Sequence, residues 1–286
     1  ALEQVQSGYG NTALGPQAHQ GNSSGDLNVV LGYQAGRTVN TLSNSVIIGY
    51  RAMEISQNIT QNTIAIGAMA AQYLNYDNTN APGNKNLFIG NEAGRSLVKL
   101  SSCTIIGQNS VDPEDGVLYV TASHITTLGH EAGKYTTGSY NTFVGSMAGK
   151  GGTTSAPYSS GQQNTAVGYQ ALTGFTTGYN NVAIGKGSSP AITTGIGNVS
   201  VGVSANESST TGGSNVAIGY NSHRYISGGD KNIAIGYAAL QSSGTPANND
   251  AQYNIGIGYW ALLAITDGDN NTVLGNLAAS AMTTTS

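Results

Sequence analysis

The sequence predicts an all-β protein, a parallel β-solenoid, and three observations carry that prediction. One short phrase recurs fifteen times on a base interval of 17 residues. Within it, β-branched residues alternate over four or five positions and stop at glycine, the pattern of a short strand. A helix is excluded, because no run of ten residues avoids glycine and turn formers.

The phrase is Asn, a β-branched residue, a small residue, an aliphatic, Gly, two variable residues, then Ala or Ser. Its anchor glycines are Gly15, Gly32, Gly49, Gly67, Gly90, Gly107, Gly129, Gly145, Gly168, Gly185, Gly202, Gly219, Gly236, Gly258 and Gly275. Positions are counted from the anchor. Position −1 is Val, Ile or Leu in all fifteen copies, and −3 is Val, Ile, Leu or Thr. Position +3 is Ala twelve times and Ser three times. Position −4 is Asn in eleven copies, the exceptions being Ser45, Thr63, Cys103 and Ile125; −7 is Gly in ten.

A 17-residue unit of strand and turn has no room to bury its own apolar face, whereas stacked copies do. The expectation is one repeat domain over 1–286, with repeats from about 11 to 278. With strands ~4.8 Å apart, fifteen coils make a rod of roughly 70 Å. The Asn column becomes a ladder of side-chain amides along it. Four copies carry extra residues, near 74–82, 111–123, 151–160 and 242–252.

Composition narrows the function. The net charge is −4 with ten Lys plus Arg, which argues against a nucleic-acid partner. One cysteine allows no intrachain disulfide and no cysteine-rich zinc site. No stretch reaches 18 apolar residues and no charged-then-apolar leader opens the chain, so it reads as a mature chain or an excised piece of one.

Successive strand side chains point to opposite faces. If −3 and −1 point into the coil, −2 points out. That column holds Ala13, Val30, Ile47, Ala65, Phe88, Ile105, Phe143, Ala166, Ala183, Ala217, Ala234 and Val273, broken by Thr127, Ser200 and Gly256. An outward apolar stripe of roughly 350 Å² implies self-association, with small residues bringing copies close to an axis. A flat two-layer coil that covers both faces internally is the alternative.

The phrases Asn181-Val182-Ala183-Ile184-Gly185, Asn215-Val216-Ala217-Ile218-Gly219 and Asn44-Ser45-Val46-Ile47-Ile48-Gly49 resemble the repeat of YadA-like trimeric autotransporter adhesin heads. The longer Asn164-Thr165-Ala166-Val167-Gly168-Tyr169-Gln170-Ala171-Leu172 is similar to repeats of phage tail fibres and bacterial surface fibres. The resemblance covers nearly the whole chain. It implies a left-handed β-roll, a homotrimer around one axis, and an extracellular stalk or adhesive head on a bacterial surface or a phage virion. The YadA-like period is shorter than 17, so each coil here should be wider.

Motifs that mimic chemistry resolve into repeat columns. Gly256-Ile257-Gly258-Tyr259-Trp260-Ala261 imitates a dinucleotide fingerprint, but no helix follows it. Lys186-Gly187-Ser188 is likewise repeat sequence. The run Asp112-Pro113-Glu114-Asp115-Gly116 has carboxylates for calcium, yet a solvated turn accounts for it better. His19, His124, His130 and His223 show no ligand spacing, and Glu92 and Glu131 share the +2 column two coils apart. No catalytic residue, metal or cofactor is expected.

Insertions in a solenoid fall on one side, often the binding side. They carry Tyr76, Asn78, Tyr119, Tyr158 and Tyr253, and Tyr among small polar residues suits recognition of glycan or protein. Trp260, the only tryptophan, sits in the variable +2 column and is a further candidate for stacking on a sugar. The favoured function is a non-catalytic trimeric fibre or adhesin head that binds a cell-surface glycan or protein. The alternatives are a phage tail-fibre receptor-binding segment, a purely structural fibre segment, a glycan-degrading solenoid enzyme and an ice binder.

Overall fold

A computed structural model describes residues 7–56, 60–74, 85–97, 100–113, 122–153, 158–242, 249–266 and 268–281. The chain divides into two compact units: Ala1–Asn141 with Thr154–Ala156, and Thr142–Thr153 with Pro157–Ser286. Both are parallel β-solenoids built on the same repeat, and no helix occurs among the described residues.

The first unit contains β1 (Thr12–Leu14), β2 (Val29–Leu31), β3 (Leu42–Ser43), β4 (Val46–Ile48), β5 (Thr60–Gln61), β6 (Ile64–Ile66), β7 (Leu87–Ile89), β8 (Thr104–Ile106) and β9 (Thr126–Leu128). Its main sheet runs in the order β1-β2-β4-β6-β7-β8-β9, and β3 pairs with β5. The second unit contains β10 (Thr142–Val144), β11 (Thr165–Val167), β12 (Val182–Ile184), β13 (Val199–Val201), β14 (Val216–Ile218), β15 (Ile233–Ile235), β16 (Ile255–Ile257) and β17 (Thr272–Leu274), paired in that order. Each column pairs with itself one turn on: Val182 faces Val199, Ala183 faces Ser200 and Ile184 faces Val201. The anchor amides hold this register, as when Gly202 N–H donates to the Ile184 carbonyl at 2.7 Å.

The turns are bonded as regularly as the strands. Non-glycine residues at −5, +2 and +4 adopt the left-handed conformation, for example Gln34 (φ 55°), Leu172 (φ 53°) and Asn180 (φ 57°). Such a residue costs about 1–2 kcal/mol in isolation. Here alternation of handedness aims successive N–H and C=O groups along the axis. Gln34 N–H donates to Pro16 C=O at 3.0 Å on one side, and His19 N–H to Ala35 C=O at 2.9 Å on the other. Bonds between coils offset the strain, so the positions need no glycine.

The Asn ladder is continuous in the second unit from Asn164 through Asn181, Asn198, Asn215, Asn232 and Asn254 to Asn271. Each Oδ1 accepts from the backbone N–H and the side-chain amide of the next Asn. Each Nδ2 also donates to a carbonyl of the next coil, for Asn198 that of Gly212 at 2.8 Å. In the first unit Ser45 and Cys103 follow Asn rungs, each donating its backbone N–H to the Oδ1 of the rung before it, Asn28 and Asn86.

The facing of the strands reverses the expectation from sequence. Val30, Ile47, Ala65, Phe88, Ile105, Phe143, Ala166, Ala183 and Ala234 are fully buried within a single chain, Ala217 is 1% exposed, and Ala13 and Val273 pack against the core. The −2 column therefore lines the coil interior, and from β2 to β16 it leaves no side-chain surface for another chain. Alternation alone distinguishes two faces without saying which is inside. The Asn ladder decides it, because −4 and −2 share a face and Asn181 and Asn198 are buried. Where −2 is large, glycine at +4 makes room inside the coil: a Cβ on Gly94 or Gly149 would lie 2.6 or 2.3 Å from the ring of Phe88 or Phe143.

Candidate functional site

With −2 inside, positions −3 and −1 point away from the core. In the second unit they form an outward sheet face of Val182, Ile184, Val199, Val201, Val216, Ile218, Ile233, Ile235, Ile255 and Ile257, none of them fully buried. These five strands at ~4.8 Å, about 10 Å wide, make roughly 240 Å². No −3 or −1 position in any repeat carries a charge. A sheet with one wet face ordinarily places polar residues there. Here the inward column is mostly small, with six Ala and with Thr127, Ser200 and Gly256, while −1 outside is aliphatic throughout and −3 is aliphatic or Thr.

A column of tyrosines at +1 follows this face. Tyr33 stacks on Tyr50 in the first unit, ring centroids 5.7 Å apart. In the second unit Tyr220 stacks on Tyr237 at 5.2 Å, Tyr237 on Tyr259 at 5.3 Å, and Tyr259 on Trp260 at 4.8 Å. Beside Trp260 lies an open cleft of about 380 Å³ lined by Asn221, Tyr237, Gln241, Ser242, Trp260, Leu263 and Ala264.

The other candidates from sequence do not join this cleft. Tyr158 is 8% exposed, which corrects its expected role as an exposed contact: it packs. Tyr253 is exposed, but it lies at −5, where its ring and hydroxyl engage Lys231, with Nζ donating to the hydroxyl at 3.1 Å. Tyr76, Asn78 and Tyr119 lie outside the described residues.

Charged side chains occupy a column that sequence reasoning missed, at +5: Arg37, Glu54, Arg95, Asp112, Lys134, Lys150, Glu207 and Arg224. Spacing by whole coils puts opposite charges on adjacent rungs. Fully buried Glu54 meets Arg37 at 3.0 Å and Arg51 at 2.6 Å and accepts from Gln72 at 2.8 Å. Glu207 pairs with Arg224. Glu92 and Glu131 are each matched by a cation three residues on, Arg95 at 3.4 Å and Lys134 at 2.8 Å, so they do not form a carboxylate pair. Asp112 is no solvated turn residue either. It is fully buried, accepts from Ser96 Oγ at 2.9 Å, and lies 3.6 Å from Arg95. Burial pushes its carboxyl up to about 6 against the pull of Arg95 and Ser96. Among the described residues no cluster of three His, Cys, Asp or Glu stands close enough to hold a metal ion. No helix there is long and apolar enough to cross a membrane.

His19 and His223 are buried at +4, and burial lowers both to about 4. His223 Nδ1 lies 2.8 Å from Asn206 Oδ1. The unfolded chain binds a proton on each from about pH 6.5 down, the folded chain only near pH 4, so stability falls across that window. Asp112 acts oppositely: its folded-state rise to about 6 adds stability as pH falls from 6 to 3.8, and it belongs to the first unit with His19. The second unit is therefore expected to lose more, roughly 3 kcal/mol from His223 between pH 6.5 and 4. Amide exchange of β13–β15 checks this. His223→Asn should flatten the dependence, and an unchanged slope would refute the assignment.

No protein-family model matches the chain, and no curated protein matches its sequence.

Proposed function

We propose that the chain is a non-catalytic fibre or adhesin-head module. In this reading it assembles as a homotrimer of fifteen-coil left-handed rolls at an extracellular surface, on a bacterial cell-surface fibre or a phage virion. One observation carries it: the outward strand columns are free of charge in every repeat, with −1 always aliphatic and −3 either aliphatic or Thr. This moves the inter-chain surface from the −2 column to −3 and −1. The trimer and the handedness rest on the resemblance to YadA-like heads. The pairing of Glu54, Glu92, Asp112, Glu131 and Glu207 with cations supports a binding role over hydrolysis.

Mass photometry at micromolar concentration should return three times 29.1 kDa. The pair Val216→Glu and Ile218→Glu should dissociate the assembly, because carboxylates would be desolvated against one another. A wild-type chain at 29.1 kDa overturns the assembly. Release of reducing sugar from a polysaccharide panel overturns the non-catalytic reading.

A further inference from the structure

We propose that the cleft beside Trp260 binds a neutral sugar residue of an oligosaccharide. The cleft has a simple origin in the repeat. Position +2 runs Asn221, Ala238, Trp260 on three successive coils. The cleft takes a side-chain amide from one coil and an indole from two coils on, and the residue between them in this column, Ala238, is small and buried. Two strand spacings are ~10 Å, the width of a recess rather than a flat surface. At about 380 Å³ it lies within the range of small-ligand sites.

The walls set the ligand class. Trp260 is held by its stack on Tyr259, with interplanar angle 25°, and the tyrosine column fixes that ring in turn. A pre-placed indole loses little rotamer freedom on binding and offers an apolar plane to the C–H face of a pyranose. Asn221, Gln241 and Ser242 are the polar residues of the lining. Ser242 Oγ is buried and has no hydrogen-bond partner, so it is a donor and acceptor in want of one. None of the seven lining residues carries a charge. A plane, two amides and a hydroxyl without a counter-charge match hydroxyls on a neutral ring, and give a sialic or uronic carboxylate nothing to pair with.

The site extends the binding reading above. Its single-site affinity does not depend on trimer formation, although three copies on one fibre would add avidity. Trp260 is the chain's only tryptophan, so its emission reports on the cleft directly. The test titrates the purified chain with gluco-, galacto-, manno- and N-acetylhexosamine-configured neutral oligosaccharides, and with the same backbones carrying sialic or uronic acid. A saturable emission shift is expected with at least one neutral class, and about tenfold weaker binding of its acidic counterpart. Gln241→Ala and Asn221→Gly should each weaken binding about tenfold while circular dichroism and mass stay unchanged. Glycine suits position 221, where φ is 54°.

Preference for acidic probes, no neutral probe shifting Trp260 at tens of millimolar, or a shift indifferent to both variants would overturn the site. If whole cells bind equally well to wild type and both variants, the site fails and the adhesin reading survives. If a neutral probe binds a chain that remains at 29.1 kDa, the assembly fails and the site survives.

Discussion

Asn198→Leu is expected to lower the stability of the second unit by roughly 3–5 kcal/mol, read from urea midpoints or from amide exchange. Asn198 Oδ1 accepts from the backbone N–H and the Nδ2 of Asn215, both at 3.1 Å. Its Nδ2 donates to Asn181 Oδ1 at 3.1 Å and to the Gly212 carbonyl at 2.8 Å. Leucine withdraws these partners from buried groups on both neighbouring coils, and an unpaired buried group costs about 1–3 kcal/mol. The converse change, Cys103→Asn, restores an amide to an interrupted rung and should gain about 1 kcal/mol. The buried Cys103 sulfur comes no nearer than 4.0 Å to the Ala122 carbonyl that an amide would engage. A loss below 1 kcal/mol for Asn198→Leu would show that the ladder is incidental to stability.

Gly202→Val is expected to prevent the second unit from folding, a loss above about 4 kcal/mol. Two causes add. The anchor has φ +138°, where an L side chain is strained, and its Cβ would lie 2.4 Å from the Gly219 carbonyl oxygen. A glycine nearby gives the contrast. Gly187, at +2, has φ +58° and nothing nearer to its Cβ position than Ser204 Oγ at 4.0 Å. Asparagine sits at +2 elsewhere in the unit, at Asn221 with φ 54°, so Gly187→Asn should shift the thermal midpoint little. Equal losses for the two variants would refute the close-approach argument.

The period, the strands and the amide ladder were legible because each stands in a column repeated many times, so chance substitutions at Ser45 or Cys103 did not hide it. The facing of the strand was not, because Val-Ala-Ile alternates equally well either way up. A subtler signal was present: the large −2 residues Phe88 and Phe143 accompany glycine at +4, Gly94 and Gly149, as two walls of one interior must. Leu240 at +4 likewise reaches into the space left by Gly256 at −2 on the next coil, where a Cβ would lie 2.3 Å from its Cδ1. Trp260 stood out in sequence as a lone indole in a variable column. Its cleft did not, since that is assembled from side chains of different coils, Asn221, Tyr237 and Ser242 among them. The charged column was hidden by sparseness: Arg37 and Glu54 look unrelated until a 17-residue step is taken. Tyr158 misled because an inserted tyrosine packs as readily as it projects.

Bonding confined to adjacent coils also fixes how either unit yields to tension. Pulling on a chain end loads the rungs of the outermost coil one after another, like opening a zip, while the coils beyond it carry no load until it has gone. Each base repeat then releases 17 residues of chain, about 50 Å once its own thickness is subtracted. The unit then extends in discrete steps, shedding coils singly, with the remainder of the stack intact as a template for rewinding.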